Sequence, residues 1–165
     1  MKSKIDKDLY SRQIFTYGLE LMEKISDLKI LIIGSRGLGI EIAKNLILKG
    51  LNEICISDVN ICKIKDLDTN YFIKESINKE TREKDCLEKL VSLNPYVKVS
   101  IMDGNILDNL KRFNLIIITE ILNSNELKKI NQACRENNIG FIYWLNFGLT
   151  GFLFNDFDEH LIYET

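Results

Sequence analysis

Apolar residues in this chain fall into short unbroken runs separated by stretches of helical periodicity. Over residues 9–25, Ile14, Tyr17, Leu21 and Ile25 recur at helical spacing and predict one helix lying over whatever follows. The run ILII at residues 30–33 is bounded by glycine and suits a strand buried on both faces. Ile40, Ala43, Ile47 and Leu48 then share a helical face, and Gly50 closes that helix. NEICISD is the second strand and ends in Asp58. A polar segment runs to about Lys79, and helical periodicity over residues 80–93 is broken by Asn94-Pro95. VKVSIMD, NLIIITE and IGFIYWLN are the third to fifth strands, with a helix at residues 125–137 between the last two.

Helices alternating with continuously apolar strands specify an α/β fold: a Rossmann-like, mostly parallel sheet flanked by helices. After Asn146 the pattern changes. Gly148 and Gly151 flank a turn, and two short apolar segments surround NDFDEH, which predicts a short antiparallel extension at the C-terminal end. The chain divides into an N-terminal helical segment, 1–27, and a Rossmann-like domain, 28–165. It stops in strand-like sequence with no closing helix, so a fragment of something longer is expected.

Composition narrows the partners. With 165 residues, 45% of them hydrophobic, one α/β core is the natural expectation. Twenty-two basic side chains against 24 acidic ones give a net charge of -2, which supplies no electrostatic reason for a nucleic acid or membrane partner. The opening MKSKIDK leads into a polar, amphipathic segment, so it does not read as a signal peptide. Cys55, Cys62, Cys86 and Cys134 form no CxxC pair, and His160 is the single histidine. Buried, reduced thiols are expected, with neither a zinc site nor a disulfide framework.

The candidate chemistry lies in GSRGLG. In a dinucleotide turn the first glycine permits the bend, the second lets backbone approach pyrophosphate, and the third packs helix on strand. Gly34 and Gly39 meet the first and third needs, Gly37 lies between them, and Arg36 replaces the middle glycine. Its side chain stands where phosphate oxygens would pass. Two readings stay open: an arginine that grips phosphate from outside, or a strand-to-helix turn whose glycines serve packing alone. Asp58, 19 residues beyond Gly39, lies where a ribose-binding carboxylate would. It is equally a common strand-end turn residue.

Two segments together, IDKDLYSRQIFTYGLE and GSRGLGIEIAKNLILKG, resemble the N-terminal adenylation half of ubiquitin-activating enzymes, in the ThiF/MoeB-like superfamily. The likeness continues through SDVNICKIKDLDTNYFI, LVSLNPYVKV, LIIITE and FGLTGFLFNDFDEHLIY. The small subunit of the SUMO-activating enzyme is a close relative. Ser11 in place of an Asp before Arg12 tilts the resemblance to ubiquitin.

In that family two homologous adenylation domains pair, in one chain or as a heterodimer. One binds ATP, magnesium and the C-terminal tail of the modifier; the other is a degenerate partner, and the thioester cysteine lies in another domain. The active half looks like GxGxxG, Asp-x-Asp, an Asn-Arg-Gln-Phe stretch, a lysine, and a magnesium-binding Asp after the fourth strand. Against that pattern this chain has Arg36, Asn60 for the second acid, and Asp68, Thr69, Asn70 and Tyr71 for Asn-Arg-Gln-Phe. Glu80 falls at the lysine, and Asn125 near the magnesium carboxylate. Adenylation needs cations and a metal to offset phosphate charge. One like-charge contact at ~4 Å costs on the order of 4 kcal/mol at an effective dielectric of 20.

The resemblance therefore implies the inactive half, with no cofactor of its own and no metal site. It also implies a cytoplasmic and nuclear enzyme whose full-length form is an ATP-dependent ligase. Arg12, within YSRQ, matches an arginine that crosses to the ATP phosphates of the opposite half. The plainer reading is a solvated arginine, or one paired to Glu20 or Asp27. A reading from another class is an oxidoreductase binding NAD through Asp58, although it lacks the middle glycine and a clear acid–base pair. Tyr143 and Trp144 read as core, His160 as a surface or strand-edge residue, and Asp156, Asp158 and Glu159 as a solvated turn.

Overall fold

The computed structural model describes residues 5–73 and 77–159, so His160 and the apolar segment after it lie outside the described residues. Among the described residues six strands form one sheet in the order β3-β2-β1-β4-β5-β6. These are β1 (Lys29–Ile33), β2 (Glu53–Ser57), β3 (Lys98–Ile101), β4 (Leu115–Ile118), β5 (Gly140–Phe147) and β6 (Thr150–Asp156). The first five pair in parallel and β6 runs antiparallel to β5. The helices are α1 (Ser11–Tyr17), α2 (Leu19–Asp27), α3 (Gly37–Lys49), α4 (Arg82–Val91), α5 (Ile106–Asn109) and α6 (Ser124–Glu136).

The apolar strands are continuous because both faces of the sheet are covered. On one face Ile30, Ile32, Ile54 and Ile56 pack with Ile40 and Ile47 of α3 and Leu90 of α4. On the other, Leu31, Cys55, Ile116 and Ile118 meet Leu110, Phe113, Ile130 and Cys134. All four cysteines are free and buried. Burial, the largest cause, raises the thiols of Cys62 and Cys134 to about 11 and that of Cys86 to about 12. They are therefore inert as nucleophiles.

The single helix predicted over residues 9–25 is two helices. Gly18 adopts φ 80°, ψ 158°, a conformation that cannot continue a helix, and the apolar stripe rotates past the break. Met22 is buried as a result, while Tyr17 and Leu21 are exposed. The hairpin also differs from expectation. Its turn is Gly148–Leu149, and β6 runs through to Asp156, paired with Phe141. Asp156 is buried rather than part of a solvated turn: Arg135 Nε at 2.7 Å and Asn131 Nδ2 at 2.9 Å tie it to α6. Those contacts, Arg135 first, hold its carboxyl down at about 2. Trp144 is exposed rather than part of the core, while Leu145 beside it on the opposite face of β5 is buried. No helix among the described residues is long and apolar enough to cross a membrane.

Candidate functional site

After β1 the chain continues to β2 on one side and returns as β4 on the other, so the carboxyl ends of β1 and β4 flank a topological switch point. A cavity of about 590 Å³ opens there, lined by Gly34, Asp58, Asn60, Asn105, Glu120 and Lys129 among others. The glycine turn forms one wall. Gly34 has φ +98° and donates its N–H to the Ser57 carbonyl at 2.9 Å. A Cβ on Gly39 would stand 2.0 Å from the Gly34 carbonyl oxygen and 2.5 Å from Thr119 Oγ1. Gly39→Ala is therefore expected to force α3 off the sheet and cost about 1–3 kcal/mol or more, read as a lowered urea midpoint at unchanged slope.

Arg36 caps the N-terminal end of α3 with ordinary extended backbone, so nothing at that position demands glycine. Its side chain leaves the turn and places Nε 3.6 Å from Asp66 Oδ1. Thr69 covers Gly37, its Cβ lying 3.1 Å from where a Gly37 Cβ would stand. Asn70, fully buried, donates to the Ser35 carbonyl at 2.8 Å and fastens this segment beneath the turn.

Asp58 ends a strand buried on both faces, which pushes its carboxylate into the crevice behind the turn. Polar neighbours crowd both oxygens. Oδ2 accepts from Ser35 N at 2.7 Å and Ser35 Oγ at 2.9 Å. Oδ1 accepts from Asn60 N at 3.1 Å, Asn60 Nδ2 at 3.0 Å and Arg82 Nη2 at 2.9 Å. Arg82 Nε lies 2.9 Å from Oδ2 as a charge contact, with its N–H directed away from a hydrogen-bond line. Burial alone would raise the Asp58 pKa, but Arg82, the Ser35 amide and Asn60 together outweigh it and hold the group below the usual carboxylate range.

Arg82 is the centre of the site, and the sequence reading missed it. It is buried, and besides Asp58 it donates to Asp66 Oδ1 and Glu120 Oε2, each at 3.4 Å. Burial opposes its charge, but Asp58, Glu120 and Asp66 raise its pKa overall. Glu83 accepts from the Asp58 amide at 2.6 Å, and burial, the leading cause, pushes its pKa up. Two guanidiniums, one of them half in solvent, thus face the carboxylates of Asp58, Asp66 and Glu120. Both guanidiniums are committed to the site's own carboxylates, while Lys129, which also lines the cavity, has no ion-pair partner among the described residues.

The motif comparison placed Glu80 at the expected cation and Asn125 at the metal carboxylate. Glu80 is exposed and Arg82, two residues on, turns inward; Asn125 is exposed on the cavity rim, and Glu120 makes the inward contact. One signal was available. Arg82, Cys86 and Leu90 are spaced i, i+4, i+8, so the arginine belongs to the buried stripe of α4. Among the described residues no group of three or more His, Cys, Asp or Glu side chains could hold a metal ion.

Arg12 is not part of this crevice. It is exposed on α1, at the C-terminal end of α3, beside an open recess it shares with Gln13, Tyr17, Asn45 and Lys49. The 13 residues of α3, about 20 Å of helix, separate that end from the glycine turn. Glu20 is taken by Lys24 at 2.8 Å, and the Arg12 side chain makes no hydrogen bond or ion pair among the described residues.

The sheet order, glycine turn and switch-point crevice define a Rossmann-like α/β domain with helices on both faces. The sequence pattern described as the ThiF family matches residues 10–155, and the chain belongs to that family. It is 40% identical over 158 residues to "Ubiquitin-like modifier-activating enzyme 1" of Dictyostelium discoideum, covering 94% of this chain and 15% of that protein. It is 33% identical over 155 residues to "SUMO-activating enzyme subunit 1" of the same organism, covering 92% of this chain and 47% of that protein. The fold is that of Escherichia coli MccB, whose crystal structure with succinimide superposes with a TM-score of 0.72 at 19% identity, over 87% of this chain and 46% of that one. The chain is thus an adenylation-type domain homologous to ubiquitin- and SUMO-activating enzymes, and it spans about 15% of the first of those relatives.

Proposed function

We propose that this chain is the non-catalytic adenylation-type half of a ubiquitin-activating enzyme. It supports ATP-dependent adenylation of the ubiquitin C-terminus by a homologous active half, in the same chain or in a heterodimer, in the cytoplasm and nucleus. The observation that carries the reading is the ion-pair cluster behind the glycine turn. Arg82 is bound to Asp58, Asp66 and Glu120 and is not free to meet a phosphate. The residues present do not fit a magnesium triphosphate, and ATP and magnesium are assigned to the active half. The turn of Gly34, Arg36, Gly37 and Gly39 then serves packing.

Asp58 has neighbours at every accepting position, which speaks against ribose binding and against an NAD-dependent oxidoreductase. Arg12 is free to reach across to the phosphates of the opposite half, as a planar fork of donors that adds charge stabilisation without belonging to that pocket. The small subunit of a SUMO-activating heterodimer is the alternative, supported by the 33% identity to a SUMO-activating subunit.

ATP–pyrophosphate exchange separates these readings. The assembled enzyme is expected to exchange with ubiquitin and not with SUMO, and this chain alone with neither. Exchange by the isolated chain would overturn the proposal; exchange with SUMO alone would select the alternative.

A further inference from the structure

The placement of Arg12 raises the question of what holds α1 in position. The helix has seven residues and none of them is buried, so its own packing fixes it poorly. Its first hydrogen bond runs from Ile14 N to the carbonyl of Tyr10, at 2.9 Å. Tyr10, by contrast, is buried. The hydroxyl end of its ring lies against Gly50: a Cβ on that glycine would fall 2.6 Å from both Cζ and Oη. Gly50 has φ +86° and closes α3, so one residue ends that helix and provides the seat for the ring.

The Tyr10 hydroxyl accepts from Asn94 Nδ2 at 2.7 Å, and the same amide group donates to the Ile47 carbonyl at 2.9 Å. Asn94 is itself buried, and its Oδ1 accepts from Tyr96 N at 3.1 Å. One asparagine, placed between α4 and β3, therefore joins the root of α1 to the last turn of α3. Two lighter ties follow along α1. Gln13 Nε2 reaches the Leu48 carbonyl at 3.4 Å, and Lys49 Nζ sits 3.7 Å above the Tyr17 ring.

We propose that Tyr10 is a positioning residue for Arg12. Its ring on Gly50 and its hydroxyl on Asn94 fix the start of α1, and so the direction in which the guanidinium two residues later leaves the domain. The inference rests on the reading of Arg12 as an arginine that acts on the partner's bound phosphates. A small displacement at the root of a short helix is carried to the tip of a long side chain, and misplacement by about 1 Å can cost on the order of 100-fold in rate.

The test is a double-mutant cycle in the assembled enzyme, read as single-turnover ubiquitin adenylate formation with saturating ATP and ubiquitin. Tyr10→Ala is expected to slow the step about tenfold or more with the KM for ubiquitin unchanged, and Tyr10→Phe, which keeps the ring, to recover most of that loss. In the Arg12→Ala background neither Tyr10 substitution is expected to slow the step further, because residues acting through one group are not additive. Multiplicative effects, or a Tyr10→Ala enzyme as fast as the parent beside a slow Arg12→Ala enzyme, would overturn the positioning role alone. An Arg12→Ala enzyme as fast as the parent would overturn the reading of Arg12 beneath it. Should Tyr10→Ala not fold, the cycle is closed with Tyr10→Leu, which fills the site without the ring: a loss in the parent that vanishes in the Arg12→Ala background supports the role, and no loss in the parent overturns it.

Discussion

Arg82→Met is expected to destabilise this domain by about 3–5 kcal/mol at neutral pH, the range for removing one partner of a buried ion pair. Methionine keeps the length of the stem beside Cys86 and Leu90, so the loss isolates charge rather than packing. Asp58 and Asp66, both buried, would be left facing one another and Glu120 without the guanidinium between them.

The effect should depend on pH with a definite sign. In the parent, the folded pKa of Asp58 lies below its ordinary value, so the contribution is present above about pH 4 and lost as pH falls through the folded pKa. In the variant, burial acts unopposed by Arg82 and the folded pKa moves upward. The Ser35 amide and Asn60 still favour the carboxylate, but the variant gains less stability than the parent as pH rises, so the gap between the two proteins widens from pH 4 to pH 7. Urea melts at those two values measure it. A gap below about 1 kcal/mol at both would mean that the cluster behaves as a solvated surface network.

Arg12→Ala is expected to have the opposite signature. The side chain is exposed and unpaired among the described residues, so the melting behaviour should stay within about 0.5 kcal/mol of the parent. The rate of adenylate formation in the assembled enzyme should fall by about 10²–10³, the loss typical for one donor aimed at transition-state charge. Arg12→Lys should recover only part of it, because an ammonium cannot reproduce the planar fork. Pyrophosphate exchange and thermal melting on the same preparations check both halves of the statement. Unchanged exchange would reduce Arg12 to a solvated residue at a helix start.

Much of the fold was legible because strands covered on both faces leave unbroken apolar runs. The ILII of β1 and the LIII of β4 are such runs, and the glycines of the turn are explained by contacts they would otherwise violate. Elements of about one turn were not legible: α5 has four residues and the 3₁₀ turn at Ile64–Asp66 three, too few to show periodicity. The break at Gly18 was hidden because one glycine is tolerated in many helical patterns.

The site was half legible, for a related reason. A strand-end aspartate that binds ribose and one that anchors a buried arginine have the same local sequence; only the partner distinguishes them, and Arg82 lies 24 residues away from Asp58. Glu80 stands where the motif carries a lysine, whereas the buried face of α4 presents Arg82.

On the proposed reading the crevice behind the glycine turn commits Arg36 and Arg82 to its own carboxylates and keeps too little free countercharge to hold a triphosphate. Isothermal titration of magnesium ATP into this chain tests it most directly. Heats indistinguishable from dilution up to millimolar nucleotide are the expected result. A saturable isotherm with a micromolar dissociation constant would contradict it.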